Sequence, residues 1–107
     1  MDKQDITIIS TKEFEDWLRG IVDVSSRRKI ILRIQRLKLG NFGDYKPVGK
    51  EIFELRIHLG PGYRVYFAKK RNIFVILLTG GDKDSQKKDI TKAQQIWQEV
   101  KDDIEKL

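Results

Sequence analysis

Cysteine is absent from this chain of 107 residues, and histidine occurs once. Without cysteine there are no disulfides and no thiolate metal sites, a composition that fits a reducing cytosol. With one histidine and no tight carboxylate cluster, the sequence offers no metal site and implies no cofactor. No run approaches the roughly 18 apolar residues of a membrane helix, and Met1-Asp-Lys-Gln-Asp lacks a basic-then-apolar leader pattern. The expectation is a soluble, cytoplasmic protein with no membrane partner. Repeats, low-complexity stretches and linkers are also missing, so residues 1–107 are expected to form a single domain.

What the chain does have is positive charge. Lys and Arg total 22 against 16 acidic residues, a net charge of +6. On a domain this small, that excess favours a polyanionic partner, either nucleic acid or an acidic protein. Arg27, Arg28, Lys29, Arg33, Arg36 and Lys38 crowd one helical segment, where a solvated face is the simplest reading and a nucleic-acid contact the alternative.

Ile6-Thr-Ile-Ile9 is a short β-branched strand. Thr11 caps a helix whose Phe14, Trp17, Leu18 and Ile21 recur at helical spacing. A break at 23–26 carries a second cap, and a second helix runs to about Leu39. Ile30, Ile34 and Leu37 form its buried stripe with help from Ile31, and Gly40 ends it. Residues 41–50, with Gly43, Pro47 and Gly49, read as an irregular connection. From Ile52 to Leu59 the pattern alternates: Phe53, Leu55, Ile57 and Leu59 face the core, and Glu54, Arg56 and His58 face away. A Gly60-Pro-Gly62 turn then leads to Tyr63, Val65 and Phe67 on the core face, with Arg64, Tyr66 and Ala68 opposite. Residues 73–78 form a strand covered on both faces. The last helix carries Ile90, Ala93, Trp97, Val100, Ile104 and Leu107 on one stripe. The predicted fold is α+β, in the order β-α-α-β-β-β-α, with a mostly antiparallel sheet packed against helices.

The hairpin gathers Glu54, Arg56, His58, Arg64 and Tyr66 on one polar face, with Lys83 at its rim after the Gly80-Gly81 turn. Such a face suits a phosphodiester. Cleaving RNA through its own 2′-hydroxyl needs a base, cations around the phosphorane and a proton for the leaving 5′-oxygen. Arg56 and Arg64 are guanidinium forks for phosphate oxygens. Glu54 or a lysine is a candidate base, and His58 and Tyr66 are candidate proton carriers. Lys46 and Lys50 are further candidates for RNA contact. The competing reading is a set of exposed ion pairs: Arg56 with Glu54, completed by Arg64. Gly80-Gly81-Asp82-Lys83 lacks the spacing of a nucleotide-binding loop. Trp17 and Trp97 are read as core, and Lys69-Lys70-Arg71 as a solvated hairpin tip.

Several segments together resemble a known family. They are Phe14-x-x-Trp17-Leu18, Arg33-Ile-x-Arg36-Leu37, Gly40-Asn-Phe-Gly-Asp44, Lys46-Pro-Val-Gly49, Glu54-Leu-Arg-Ile57, Gly60-Pro-Gly-Tyr-Arg-Val-Tyr-Phe67, Leu77-Leu-x-Gly-Gly-Asp-Lys83 and Gln86-x-x-Asp89-Ile90-x-x-Ala93. The set resembles the HigB-like addiction-module killer proteins of the RelE/ParE toxin superfamily, over residues 6 to 97. The resemblance implies a RelE-like fold and a type II toxin that cleaves messenger RNA on the ribosome. It also implies a cognate helix-turn-helix antitoxin, held in a toxin–antitoxin hetero-oligomer. By position, Arg56, Arg64 and Lys83 match the cations of the RNA-cleaving members. Several of those members carry a tyrosine or histidine after the last strand, and residues 84–107 contain neither. Members of the ParE branch inhibit DNA gyrase instead, and an inactive toxin-derived binding protein is a further alternative.

Overall fold

A computed structural model describes residues 5–107 of the chain. The element order is β1 (Thr7–Ser10), α1 (Lys12–Arg19), α2 (Val24–Lys38), β2 (Tyr45–Gly49), β3 (Ile52–Ile57), β4 (Tyr63–Lys70), β5 (Phe74–Gly81) and α3 (Gln86–Glu105). The five strands form one sheet in the order β1-β5-β4-β3-β2. Strand β1 runs parallel to β5, and every other pairing is antiparallel. This is the α+β architecture expected, with one more strand than the periodicity predicts.

The extra strand is β2, in the stretch read as an irregular connection. It pairs Tyr45 with Leu55, Lys46 with Glu54 and Pro47 with Phe53. Proline has no N–H for a ladder, but an edge strand leaves one side of its backbone unpaired, so Pro47 is tolerated there. Lys50 and Glu51 close the β2–β3 hairpin with φ of 51° and 71°. Positive φ at both central residues is the turn whose twist matches the flanking strands.

Both helix starts fall where their caps predict. The Thr11 hydroxyl accepts the Phe14 N–H at 3.1 Å, and the Asp23 carboxylate accepts the Ser25 N–H at 3.2 Å. Past α2, Gly40 has φ 80°. The sheet separates two cores. On one face α1 and α2 bury Phe14, Ile30 and Leu37 against Leu55, Val65, Phe67 and Leu77. On the other, α3 lays Ala93, Ile96, Trp97 and Ile104 over Ile52, Tyr66, Ala68, Ile76 and Leu78. Each aliphatic side chain buried in this way contributes about 1.5–3 kcal/mol.

Two details of the helical stripes differ from expectation. Ile31 and Leu107 are exposed: Ile31 lines a shallow cleft between α1 and α2 with Leu18 and Ile34, and Leu107 follows the end of α3. Ile96 joins the α3 stripe instead. The basic hairpin tip is also engaged rather than free. Lys69 lies over the rings of Phe42, Tyr45 and Phe53, Lys70 donates to the Ile104 carbonyl at 2.5 Å, and Arg71 donates to the Leu107 carbonyl at 2.6 Å. These contacts tie the β4–β5 turn to the end of α3.

Candidate functional site

The register sets the site. Arg56 on β3 stands directly across from Arg64 on β4, and Glu54 across from Tyr66. Lys46 on β2 is opposite Glu54, and Gly81 on β5 is opposite Arg64. Directly paired residues share a face, so Lys46, Glu54, Tyr66, Arg56 and Arg64 all project toward the side covered by α3. Two guanidiniums placed opposite each other repel, and Glu54 resolves the repulsion. Its carboxylate takes the Arg56 Nε at 3.1 Å and lies 3.7 Å from the Arg64 Nη1. The same carboxylate accepts the Gln86 amide at 2.7 Å and the Tyr66 hydroxyl at 3.3 Å.

This face was expected to be open, and it is not. The side chain of Glu54 is 0% exposed and that of Arg64 13%, while Arg56 keeps 31%. The first turn of α3 is the cover, reaching Glu54 through Gln86. Gly81 makes the close approach possible, because a Cβ there would overlap the Asp89 carboxylate. Burial pushes the Glu54 carboxyl toward its neutral form. The hydrogen bonds from Gln86 and Arg56 and the two guanidinium charges outweigh that push, holding its pKa below the usual glutamate value. Glu54 is therefore a buried, ionised anchor for two arginines, not the exposed base its alternation suggests. Tyr66 is fully buried too. Burial and the negative charges of Glu54 and Asp89 raise its pKa well above the usual phenol value, so its hydroxyl is far from solvent and keeps its proton.

One donor is left over. The Arg64 Nε is buried and has no hydrogen-bond partner among the described residues. Two guanidiniums share the Glu54 carboxylate, and the next acidic group is Asp89, packed against Gly81. Arg56 keeps 31% of its side chain exposed, so the pair is open to an anion from the Arg56 side.

The other candidates lie around this pair. Lys83 is exposed and sits beside the β3–β4 turn, its Cβ 3.4 Å from where a Cβ on Gly62 would stand. That turn leads into Arg64. Lys46 flanks Glu54 from the edge strand and is exposed. Lys50 is not brought in: it occupies the β2–β3 turn, at the opposite end of β3 from Arg56, beside Thr91, Gln94 and Gln98 of α3. His58 leaves the polar face after β3 ends. Its Nε2 lies 2.6 Å from the Asp44 carboxylate, and its side chain is 76% exposed. Asp44 keeps contact with the arginine pair, since its carbonyl accepts the Arg56 N–H at 2.9 Å. Its carboxyl is held below the usual range by the His58 hydrogen bond, with the charges of Arg56 and Arg33 adding to the effect. Gln86 and Asp44 escape sequence reasoning as site residues, although both stand inside segments that carry the family resemblance.

A larger cavity, about 510 Å³, opens between α1 and the start of α3. Glu13, Asp16, Asp82 and Asp89 line it with Lys88 and Lys92. Four carboxylates against two lysines disfavour a phosphate, so the arginine pair is the better anion site.

Comparison with known proteins agrees with this architecture. The family described as phage derived protein Gp49-like (DUF891) matches residues 16–101. An uncharacterised protein of Haemophilus influenzae is 48% identical over 95 residues, covering 89% of this chain and 96% of its own. Among solved structures, a two-arginine mutant of the Escherichia coli toxin RelE in the free state superposes with a TM-score of 0.60 at 13% identity, covering 78% of this chain and 90% of that one. The toxin–antitoxin complex RelBE2 of Mycobacterium tuberculosis gives a TM-score of 0.52 at 13% identity, over 77% of this chain and 95% of the matched chain. A conserved hypothetical protein of Helicobacter pylori gives 0.51 at 23% identity, over 74% and 96%. At these identities the structural likenesses establish a shared RelE-type fold. No helix among the described residues is long and apolar enough to cross a membrane.

Proposed function

The chain belongs to the family described as phage derived protein Gp49-like, and from that premise we propose that it is the toxin of a type II toxin–antitoxin pair, an endoribonuclease that cuts messenger RNA on the ribosome. The observation that carries this reading is the cross-strand pair Arg56 and Arg64, locked on the buried Glu54 with the Arg64 Nε unsatisfied. Preorganised guanidiniums with spare donors suit a phosphate that gains charge as the 2′-oxygen attacks.

In this mechanism the RNA 2′-hydroxyl loses its proton and its oxygen bonds to the adjacent phosphorus. The bond to the 5′-oxygen breaks, and that oxygen takes up a proton, leaving a 2′,3′-cyclic phosphate. Arg56 and Arg64 stabilise the phosphorane, and Lys83 assists from the rim. Glu54 positions the arginines and Tyr66 holds Glu54 from below. Both are too deeply buried to meet the reacting atoms. The proton carrier is His58, which takes the proton of the 2′-hydroxyl and returns it to the leaving 5′-oxygen; it is accessible and paired with Asp44. Metal-free chemistry follows from giving charge neutralisation to the arginines. The ribosome supplies the positioning that so shallow a face lacks. The partner that restrains the toxin is an antitoxin, a role supported by the RelE-type fold that this chain shares with a chain of a solved toxin–antitoxin complex; the motif resemblance makes that antitoxin a helix-turn-helix protein.

The test is to map transcript 5′ ends after brief expression of the wild type and of Arg56→Ala. New cuts at codon-linked positions are expected in the wild type. The variant should cut about 10²–10³-fold less, the usual loss for one preorganised donor. DNA breaks without RNA cuts would instead favour a gyrase inhibitor of the ParE type, and growth without either would favour an inactive binding protein.

A further inference from the structure

The basic face of α2 is not simply solvated. Where it passes the end of β3, Lys29, Arg33 and Arg36 meet His58 across a cleft of about 280 Å³ walled by Leu32, Ile57 and Leu59. Among the described residues that line it there is no carboxylate. Two carboxylates stand nearby: Asp44, engaged by His58 at 2.6 Å, and Asp23, which feels the charge of Lys29 and accepts from Ser25 and Ser26. The cleft therefore holds more positive charge than its surroundings neutralise.

Its central side chain, Arg33, packs its guanidinium against the α2–β2 connection, where a Cβ on Gly43 would meet it. Gly43 has φ 65°, a left-handed conformation that glycine adopts without penalty. Burial, and next the charge of Arg36, push the Arg33 pKa down, and Asp44 opposes them only in part. Arginine stays charged regardless, so its charge is only partly compensated by its surroundings.

The cleft and the arginine pair lie on opposite faces of the sheet, and Asp44 links them around its edge: the Asp44 carbonyl takes the Arg56 N–H, its carboxylate pairs with His58, and that carboxyl feels the charges of both Arg56 and Arg33. A strand rounding this edge passes from Arg56, by His58, to Arg33, Arg36 and Lys29 along one track of charges. We propose that this cleft is a second phosphate-binding subsite, which holds the backbone of the same single-stranded RNA beyond the phosphate gripped by Arg56 and Arg64. The inference rests on the endoribonuclease reading and adds to it the direction in which the substrate strand leaves the site. It favours RNA over an acidic protein segment because one track of charges serves both subsites.

The test uses the full chain and RNA made non-cleavable by 2′-O-methylation. Binding of a dinucleotide and of a longer oligonucleotide is measured across a salt series for the wild type, Lys29→Gln/Arg36→Gln and Arg33→Gln. Lys29 and Arg36 are exposed, so their double variant keeps the fold even if Arg33→Gln does not. For the longer strand, the double variant should flatten the slope of log affinity against log salt by about 1.4, from about 0.7 per lost single-strand phosphate contact. Dinucleotide binding should be unaffected. An unchanged slope with the longer strand would overturn the subsite while leaving the arginine pair intact. Wild-type RNA affinity combined with weakened antitoxin binding would also overturn it, assigning the cleft to an acidic protein partner. A wild type that binds the longer strand no more tightly than the dinucleotide would also overturn the subsite, while the endoribonuclease reading is judged separately by the mapping of transcript 5′ ends.

Discussion

Glu54 shows how a single buried charge organises a site. In the sequence it is one of three polar residues alternating along a strand. In the fold it has no exposure, and Arg56, Gln86 and Tyr66 donate to it. Removing one partner of a buried ion pair strands the others, which typically costs about 3–5 kcal/mol. Glu54→Ala should accordingly lower stability by about that much in urea unfolding, and far more than Lys46→Ala on the exposed edge strand. Because the folded pKa of Glu54 lies below its ordinary value of 4.5, the unfolded chain binds the proton more readily. The stabilisation is fully present above the ordinary value and is lost as pH falls through the folded one. Acid unfolding of Glu54→Gln should lack this component, and an unaltered acid profile would mean that the carboxylate is not ionised in the fold. His58 makes a different prediction. If this imidazole carries the proton, His58→Gln should lower the cleavage rate by about 10²–10⁴-fold. An unchanged rate would remove His58 from the mechanism.

Elements were legible in proportion to how locally they are specified. The Thr11 and Asp23 caps, the Gly40 stop and the β3–β4 alternation all depend on residues within a turn or two of one another. Strand β2 went unread because pairing with β3, not its own Gly- and Pro-rich composition, makes it a strand. Trp17 illustrates the same point between elements: its indole lies on Gly80, where a Cβ would collide with the ring. Gly80→Ala should force α1 away from the sheet, at about 1–3 kcal/mol for overpacking a fitted contact. The drop should appear in thermal melting, and a wild-type melting temperature would show that the indole moves aside freely. Helix α3 matters most for function, since its first turn turns an open polar face into a partly sealed one.

For the whole molecule, net charge and its placement govern association. An excess of six positive charges on 107 residues strengthens binding to any polyanion and makes it salt-dependent. An antitoxin that covers the arginine pair with an acidic segment should lose affinity between about 0.1 and 0.5 M salt, as the screening length shrinks below about 10 Å. Arg56→Ala and Arg64→Ala should weaken the same complex. Wild-type affinity in both variants, with no salt dependence, would place the antitoxin on the helices instead.

Fold class, helix caps, the hairpin and the arginine pair all follow from the amino-acid order, because each rests on a short period or a local turn. The two Trp side chains were likewise legible as packing residues. Only the tertiary structure decided which face α3 would cover. That choice made Glu54 an anchor rather than a base and buried Tyr66, while His58, past the end of β3, pairs with Asp44. Its physical basis is non-local. Gln86 reaches Glu54 across 32 positions of chain, and Gly81 makes room for Asp89 only once α3 has docked. Alternation along a strand distinguishes the two faces of a sheet, but which helix comes to lie on each face is settled by contacts between residues far apart in the chain.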